Sequence, residues 1–161
     1  MSSFLLRGAV FPDDSVADVL VSEGRIKEIG SNLRADEVID CEGLRLLPGF
    51  VDLHTHLREP GFEASETVLT GSQSAALGGY TAVHAMANTN PVADNAAVVE
   101  MVRNLGARAG YVEVFPVGAV TKGLEGSQMA ELGLMNKSQA NVKVFSDDGK
   151  CVSDALVMKR A

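Results

Sequence analysis

The change of rhythm at Pro48-Gly49 constrains the fold of this chain more than any other feature. Before it, short apolar runs alternate with turn residues. Residues 4–11 run into Pro12-Asp13-Asp14, residues 16–21 into Glu23-Gly24, residues 25–29 into Gly30, and residues 37–40 into Glu42-Gly43. Strands this short and this evenly punctuated predict a small β-sandwich or meander over residues 1–48. After it, strand patterns alternate with helical ones. Strands are expected over 50–55, 80–86, 111–120 and 141–146. Helices are expected over 65–77, closed by Gly78-Gly79, over 95–105, over 127–134 and from Ser153 onward. Such alternation predicts parallel βα units, four of them within residues 49–161. An open four-stranded sheet would leave both edges bare, and a closed (β/α)8 barrel takes roughly 250 residues. The expected class is therefore α/β: the N-terminal part of a (β/α)8 barrel, preceded by the β-sandwich segment. The helical pattern that reaches Ala161 without Gly, Pro or a polar tail reads as part of a longer protein.

Composition narrows the function classes. With 14 Lys+Arg against 21 Asp+Glu, a formal net charge of −7 and no basic cluster, the chain is not expected to bind nucleic acid or an anionic membrane surface. No apolar run approaches the ~18 residues of a membrane span. Cys41 and Cys151 read as buried thiols of a cytoplasmic protein, not as a disulfide framework. Glycine-rich phosphate loops and a GxSxG nucleophile elbow are both missing from the sequence.

The chemistry concentrates in GFVDLHTHLREPG, Gly49–Gly61. His54 and His56 are two apart at the C-terminal end of an expected strand. Strand periodicity then points both rings to one face, with Cα atoms ~6.6 Å apart. Two imidazoles placed so can share a divalent ion, for which zinc suits best; unrelated surface or core histidines are the plainer alternative. Arg58 follows on the same face. It reads either as a bidentate receptor for a substrate carboxylate or as the partner of Glu59 or Glu63 in an ordinary ion pair. Asp52 shares the parity of the histidines and could orient a ligand ring or close the bottom of a barrel.

Asn88 and Asn90, in MANTNP, offer amides to a substrate on the same rim, or serve only as turn residues. His84 reads as a satisfied core histidine. In VKVFSDDGK, Asp147 and Asp148 supply hard oxygen atoms at a strand end, where one of them could complete a metal site; turn chemistry is the alternative. Lys143 could carry a carbamate between two metals, although an ion-paired or solvated strand lysine is the commoner case.

Taken together, LPGFVDLHTHLREPGFEASE, GGYTAVHAMANTNPVADN, PVGAVTKGLEG and VFSDDGK resemble the bacterial class I dihydroorotases of the amidohydrolase superfamily, over essentially the whole chain. The resemblance implies a metal-dependent barrel enzyme of pyrimidine (UMP) biosynthesis. Its reaction would interconvert N-carbamoyl-L-aspartate and L-dihydroorotate. It further implies zinc, one or two ions, held by His54, His56 and Asp148, with Arg58 and Asn88 binding the substrate carboxylate. The family's remaining metal-binding histidines and its catalytic aspartate are expected beyond Ala161, so the 161 residues alone are expected to be inactive. Ala87 stands where many relatives have proline. A homodimer, or association with aspartate carbamoyltransferase, is the partner expectation. Dihydropyrimidinase, hydantoinase and allantoinase are the nearest rivals; they rely on a carbamylated lysine near the position of Lys143 and generally lack FSDDG. A non-catalytic dihydroorotase-like subunit is the reading from another class.

Overall fold

A computed structural model of the chain describes residues 3–161, which divide into two compact units on either side of the Pro48–Gly49 junction. In the first, β1 (Ser3–Val10), β2 (Val16–Ser22), β3 (Arg25–Gly30) and β4 (Glu37–Asp40) form one sheet in the order β3-β2-β1-β4. Tight turns join β1 to β2 and β2 to β3 as antiparallel hairpins, whereas residues 31–36 carry the chain across so that β4 lies parallel to β1, Phe4 opposite Glu37 and Arg7 opposite Asp40. The expected sandwich is not formed among the described residues. A second layer would lie about 10 Å away, and hairpin turns reach only the neighbouring strand. Leu5, Ala9 and Val19 are buried, while Val16, Ile26, Ile29, Val38 and Ile39 stay exposed.

In the second unit, β5 (Phe50–Thr55), β6 (Tyr80–Ala85) and β7 (Glu113–Pro116) form a parallel sheet in that order. Helix α1 (Val68–Leu77) links β5 to β6, and α2 (Ala96–Ala109) links β6 to β7. Val68 of α1, Val83 and Ala85 of β6, Val102 of α2 and Val114 of β7 pack into one apolar cluster. A second gathers Val99 of α2 with Ala119, Met135 and Val142. Each large aliphatic side chain so buried stabilises by about 1.5–3 kcal/mol before entropy is counted. The clusters hold β6 and β7 against the helices, and Leu57, just past β5, joins the first of them. No helix among the described residues is long and apolar enough to cross a membrane.

The expected elements shift where side chains or local pairing intervene. Helix α1 begins at Val68, not at residue 65, because Thr67 caps it: the Thr67 hydroxyl accepts from the Thr70 amide, and the Thr70 hydroxyl accepts from the Thr67 amide. The helix expected over 127–134 is instead α3 (Leu132–Lys137). Residues 128–130 fold back on the preceding segment, with the Lys122 amide donating to Gln128 and the Ala130 amide donating to Val120, and those backbone bonds compete with a helix. Strand β7 is four residues long where ten were expected. Its ladder ends at Pro116, after which Gly118 turns to a new neighbour.

That neighbour is 141–146, which forms no strand. It is tied in by a single parallel bridge between Gly118 and Phe145, through bonds from the Gly118 amide to Val144 and from the Ser146 amide to Gly118, at 3.0 and 2.9 Å. A final short helix, α4 (Ala155–Arg160), is capped by Asp154, whose Oδ1 accepts from the Leu156 and Val157 amides. Neither thiol is buried: Cys41 is half-buried beyond β4, and Cys151 is exposed beyond the DDG turn. Cys41 directly follows β4 and precedes the Glu42-Gly43 turn, Cys151 follows the DDG turn, and both lie outside the apolar clusters.

Candidate metal centre

His54 lies in β5 and His56 one residue beyond its end, so the alternation of the strand sends both rings to the same side. Their centroids are 5.2 Å apart and nearly perpendicular. Asp148, some ninety residues later, meets both: His54 Nε2 is 3.2 Å from its Oδ1, and His56 Nε2 is 3.4 Å from its Oδ2. Ligand atoms of all three residues fall within 4.8 Å of one another. Asp148 is the most enclosed of them, with its side chain 19% exposed, and His54 the most open.

Asn88 bridges two members of the cluster. Its amide nitrogen donates to Asp148 Oδ2 at 3.4 Å, which turns its oxygen toward His56 Nδ1 at 3.0 Å. An amide oxygen can only accept, so the ring proton of a neutral His56 sits on Nδ1. Nε2 then presents a lone pair to a carboxylate that also has only lone pairs. Acceptors facing each other across 3.4 Å are satisfied by a cation between them, and two imidazoles with a carboxylate form a donor set suited to a divalent transition metal. The residues therefore fit a metal ion.

The loops around the cluster come from both halves of the βα rhythm. Gly61 has φ of +102°, and a Cβ there would lie 2.3 Å from the Asn90 carbonyl oxygen. Only glycine lets the loop after β5 approach the loop after β6 so closely. The Asn90 amide donates to the Pro60 carbonyl at 2.9 Å, which sets Arg58 and Asn88 on neighbouring loops. The acids considered as partners of Arg58 are otherwise engaged: Glu59 accepts from the Val68 amide and Glu63 from the Gly61 amide, both at 2.8 Å. Arg58 makes no ion pair among the described residues. Its backbone is left-handed, with φ of +61°. The Gly61 amide bond holds the Glu63 carboxyl below the usual carboxylate range.

Other residues fall elsewhere than expected. The Asp52 carboxylate accepts from the backbone of His54 at 2.9 Å, so it steadies the strand end and not a ligand ring. His84 is not a satisfied core residue. It is half-buried, its ring stacks on Phe115 at 5.3 Å, and its buried Nδ1 has no hydrogen-bond partner. Lys143 is exposed and lines a cavity with His84 and Phe115 to which His54, His56 and Asp148 do not contribute. The contacts of Asn88 with His56 and Asp148 escaped the sequence reading because an Asn-x-Asn-Pro turn announces only itself.

A family model described as dihydro-orotase-like matches residues 43–161. The chain belongs to that family. A dihydroorotase from Leifsonia xyli subsp. xyli is 61% identical over 161 residues, covering 99% of this chain and 37% of the relative. One from Streptomyces coelicolor is 59% identical over 163 residues, covering 100% of this chain and 38% of the relative. The dihydroorotase-like chain thus spans well under half the length of the curated relatives it matches. Among solved structures, the L-hydantoinase (dihydropyrimidinase) from Arthrobacter aurescens superposes with a TM-score of 0.64 at 23% identity, over 77% of this chain and 29% of that one, a likeness of fold.

Proposed function

We propose that the protein carrying this chain is a zinc-dependent dihydroorotase, interconverting N-carbamoyl-L-aspartate and L-dihydroorotate in pyrimidine biosynthesis. Its parallel β5-β6-β7 sheet would then be part of a (β/α)8 barrel, with the cluster on the rim formed by the C-terminal strand ends. What carries the reading is Asp148. A carboxylate stands against both histidines, and the exposed Lys143, the residue a hydantoinase-type site would recruit, lines a cavity to which none of the three contributes.

His54, His56 and Asp148 would hold the ion. A zinc ion there supplies Lewis acidity toward an amide carbonyl. Arg58, which makes no ion pair among the described residues, supplies a charge-assisted, two-pronged receptor for the substrate carboxylate. Asn88 keeps a second amide N–H beyond the one donated to Asp148, and that hydrogen serves the same carboxylate. Held at two points, the cyclic amide presents its carbonyl to the cluster, and the gain is orientation.

Offering dihydroorotate and hydantoin side by side to the full protein tests the reading. Turnover of dihydroorotate that is lost on chelation and restored by zinc is expected; turnover of hydantoin alone would overturn it. Arg58→Ala should raise KM while leaving bound zinc unchanged, and zinc lost in that variant would remove the receptor role. A homodimer, or a complex with aspartate carbamoyltransferase, belongs to the same reading, with cytoplasmic location, and sedimentation of the protein with and without that enzyme tests the assembly.

A further inference from the structure

Asp147 is only 5% exposed, yet nothing in the proposed reaction uses it. Its Oδ1 accepts from the Val120 and Thr121 amides at 2.8 and 3.0 Å, and its Oδ2 accepts from the Thr121 hydroxyl. Thr121 is fully buried, and its Oγ1 in turn accepts from the Gly126 amide at 2.9 Å. A buried carboxylate is costly unless it is hydrogen-bonded, and here three donors converge on it from a segment twenty-six residues away. The Lys150 amide donates to the Asp147 carbonyl at 2.9 Å and closes the turn.

The segment that carries these aspartates is anchored at its start, where Val142 is buried in an apolar cluster and its backbone is bonded to Met135 and Asn136, and beyond the Phe145 bridge the Asp147 contacts take over. His54 sits in a strand with a hydrogen-bonded ladder, but residues 141–149 have the lone bridge at Phe145 and no ladder. Asp147 faces Val120 and Thr121, while Asp148, the next residue, faces the two histidines. We propose that the Asp147–Thr121 clamp is the positioning device of the metal centre: it replaces the missing strand ladder and fixes Asp148 opposite His54 and His56. The inference rests on the metal-centre reading above. Without the clamp, the Asp148 carboxylate must be ordered each time an ion binds, which weakens binding. Residues that orient metal ligands from behind typically change affinity about 10–100-fold when altered.

Two readouts on the full chain test this: the zinc dissociation constant, from competition with a chelating dye, and amide hydrogen exchange of residues 145–149 in metal-free protein. Thr121→Val removes the hydroxyl at nearly constant volume and Thr121→Ser retains it. Thr121→Val should bind zinc about 10-fold more weakly and exchange faster at 145–149 with an unchanged far-UV spectrum, and Thr121→Ser should return both toward the parent. Asp147→Asn should give the larger loss; if it fails to fold, the Thr121 pair decides. Unchanged exchange or unchanged zinc affinity in Thr121→Val overturns the clamp, as does a serine variant as impaired as the valine one. Should the unaltered chain take up no zinc, the metal reading fails, and the exchange data judge the clamp by themselves.

Discussion

The two units bury apolar surface to different extents, although both leave some of it exposed, as at Phe50, Val51 and Leu53 of β5. In the first, the sheet buries Leu5, Ala9 and Val19 and leaves Ile26, Ile29, Val38 and Ile39 at the surface. In the second, helices lie against a parallel sheet, and Val83, Val99, Val102, Val114 and Met135 are almost fully enclosed. The difference teaches that strand patterning alone fixes pairing, while a core needs a second layer. The unit with the larger core is also the one carrying His54, His56 and Asp148.

The largest effects should come from truncating each core. Leu5→Ala and Met135→Ala both remove a fully buried side chain and should each cost about 2–5 kcal/mol. With so few buried neighbours, the Leu5 variant should lose hydrogen-exchange protection throughout β1 and β2, whereas the Met135 variant keeps protection in β6 and lowers the urea midpoint. Equal, partial losses in both units would erase the contrast.

Next comes Gly106→Ala. Helix α2 meets β7 at this residue, and an added Cβ would stand 2.4 Å from Val114 Cβ. Alanine is the better helix former by about 1 kcal/mol, but overpacking of a closed contact costs typically 1–3 kcal/mol. A net loss in the denaturation midpoint is expected, and a stabilised variant would show the helix-sheet contact to be looser than described. Ile26→Thr, at a residue 61% exposed in β3, should change stability by no more than about 0.5 kcal/mol. A larger loss would mean that this face of the first unit is covered in solution.

The histidine pair was legible in the sequence because strand alternation is local: two residues apart on a strand means one face, whatever the rest of the chain does. Cap-determined boundaries were less so, because Thr67 and Ser65 are both plausible helix starts, and only the reciprocal Thr67–Thr70 bonds choose between them. The DDG motif left open whether an aspartate completes a metal site or only turns the chain, and the resemblance pointed to Asp148. The division of labour between Asp147 and Asp148 depends on Val120 and Thr121, which no local pattern links to them. The strand over 141–146 was misread for a related reason. Val142, Val144 and Phe145 carry strand-like side chains, but a ladder needs a partner edge, and β7 stops at Pro116.

The smallest expected effect concerns acid, and it is read at one edge of the first unit. In the first, Asp36 accepts from the Ser3 amide and hydroxyl at 2.9 and 2.8 Å, and these bonds, the amide first, hold its carboxyl below the usual range. Asp13 is held low by the Ser15 hydroxyl and then by the Ser15 amide. A carboxyl with a depressed value in the folded state adds stability that is present above its unfolded value and disappears as pH falls through the folded one. Both groups are fully exposed, so solvent screens the gain and the contribution is small. Asp36 nonetheless ties the start of β1 to the residue before β4, the parallel edge of that sheet. Acidification below about pH 4 should therefore loosen the β1–β4 pairing first. Hydrogen exchange at Phe4 and Ile39, followed from pH 6 downward, should rise beyond its intrinsic pH dependence in the parent. Asp36→Asn should exchange faster already at pH 6 and add little further on acidification. A variant with the same excess acid response as the parent would show that the Ser3–Asp36 contact does not govern this edge.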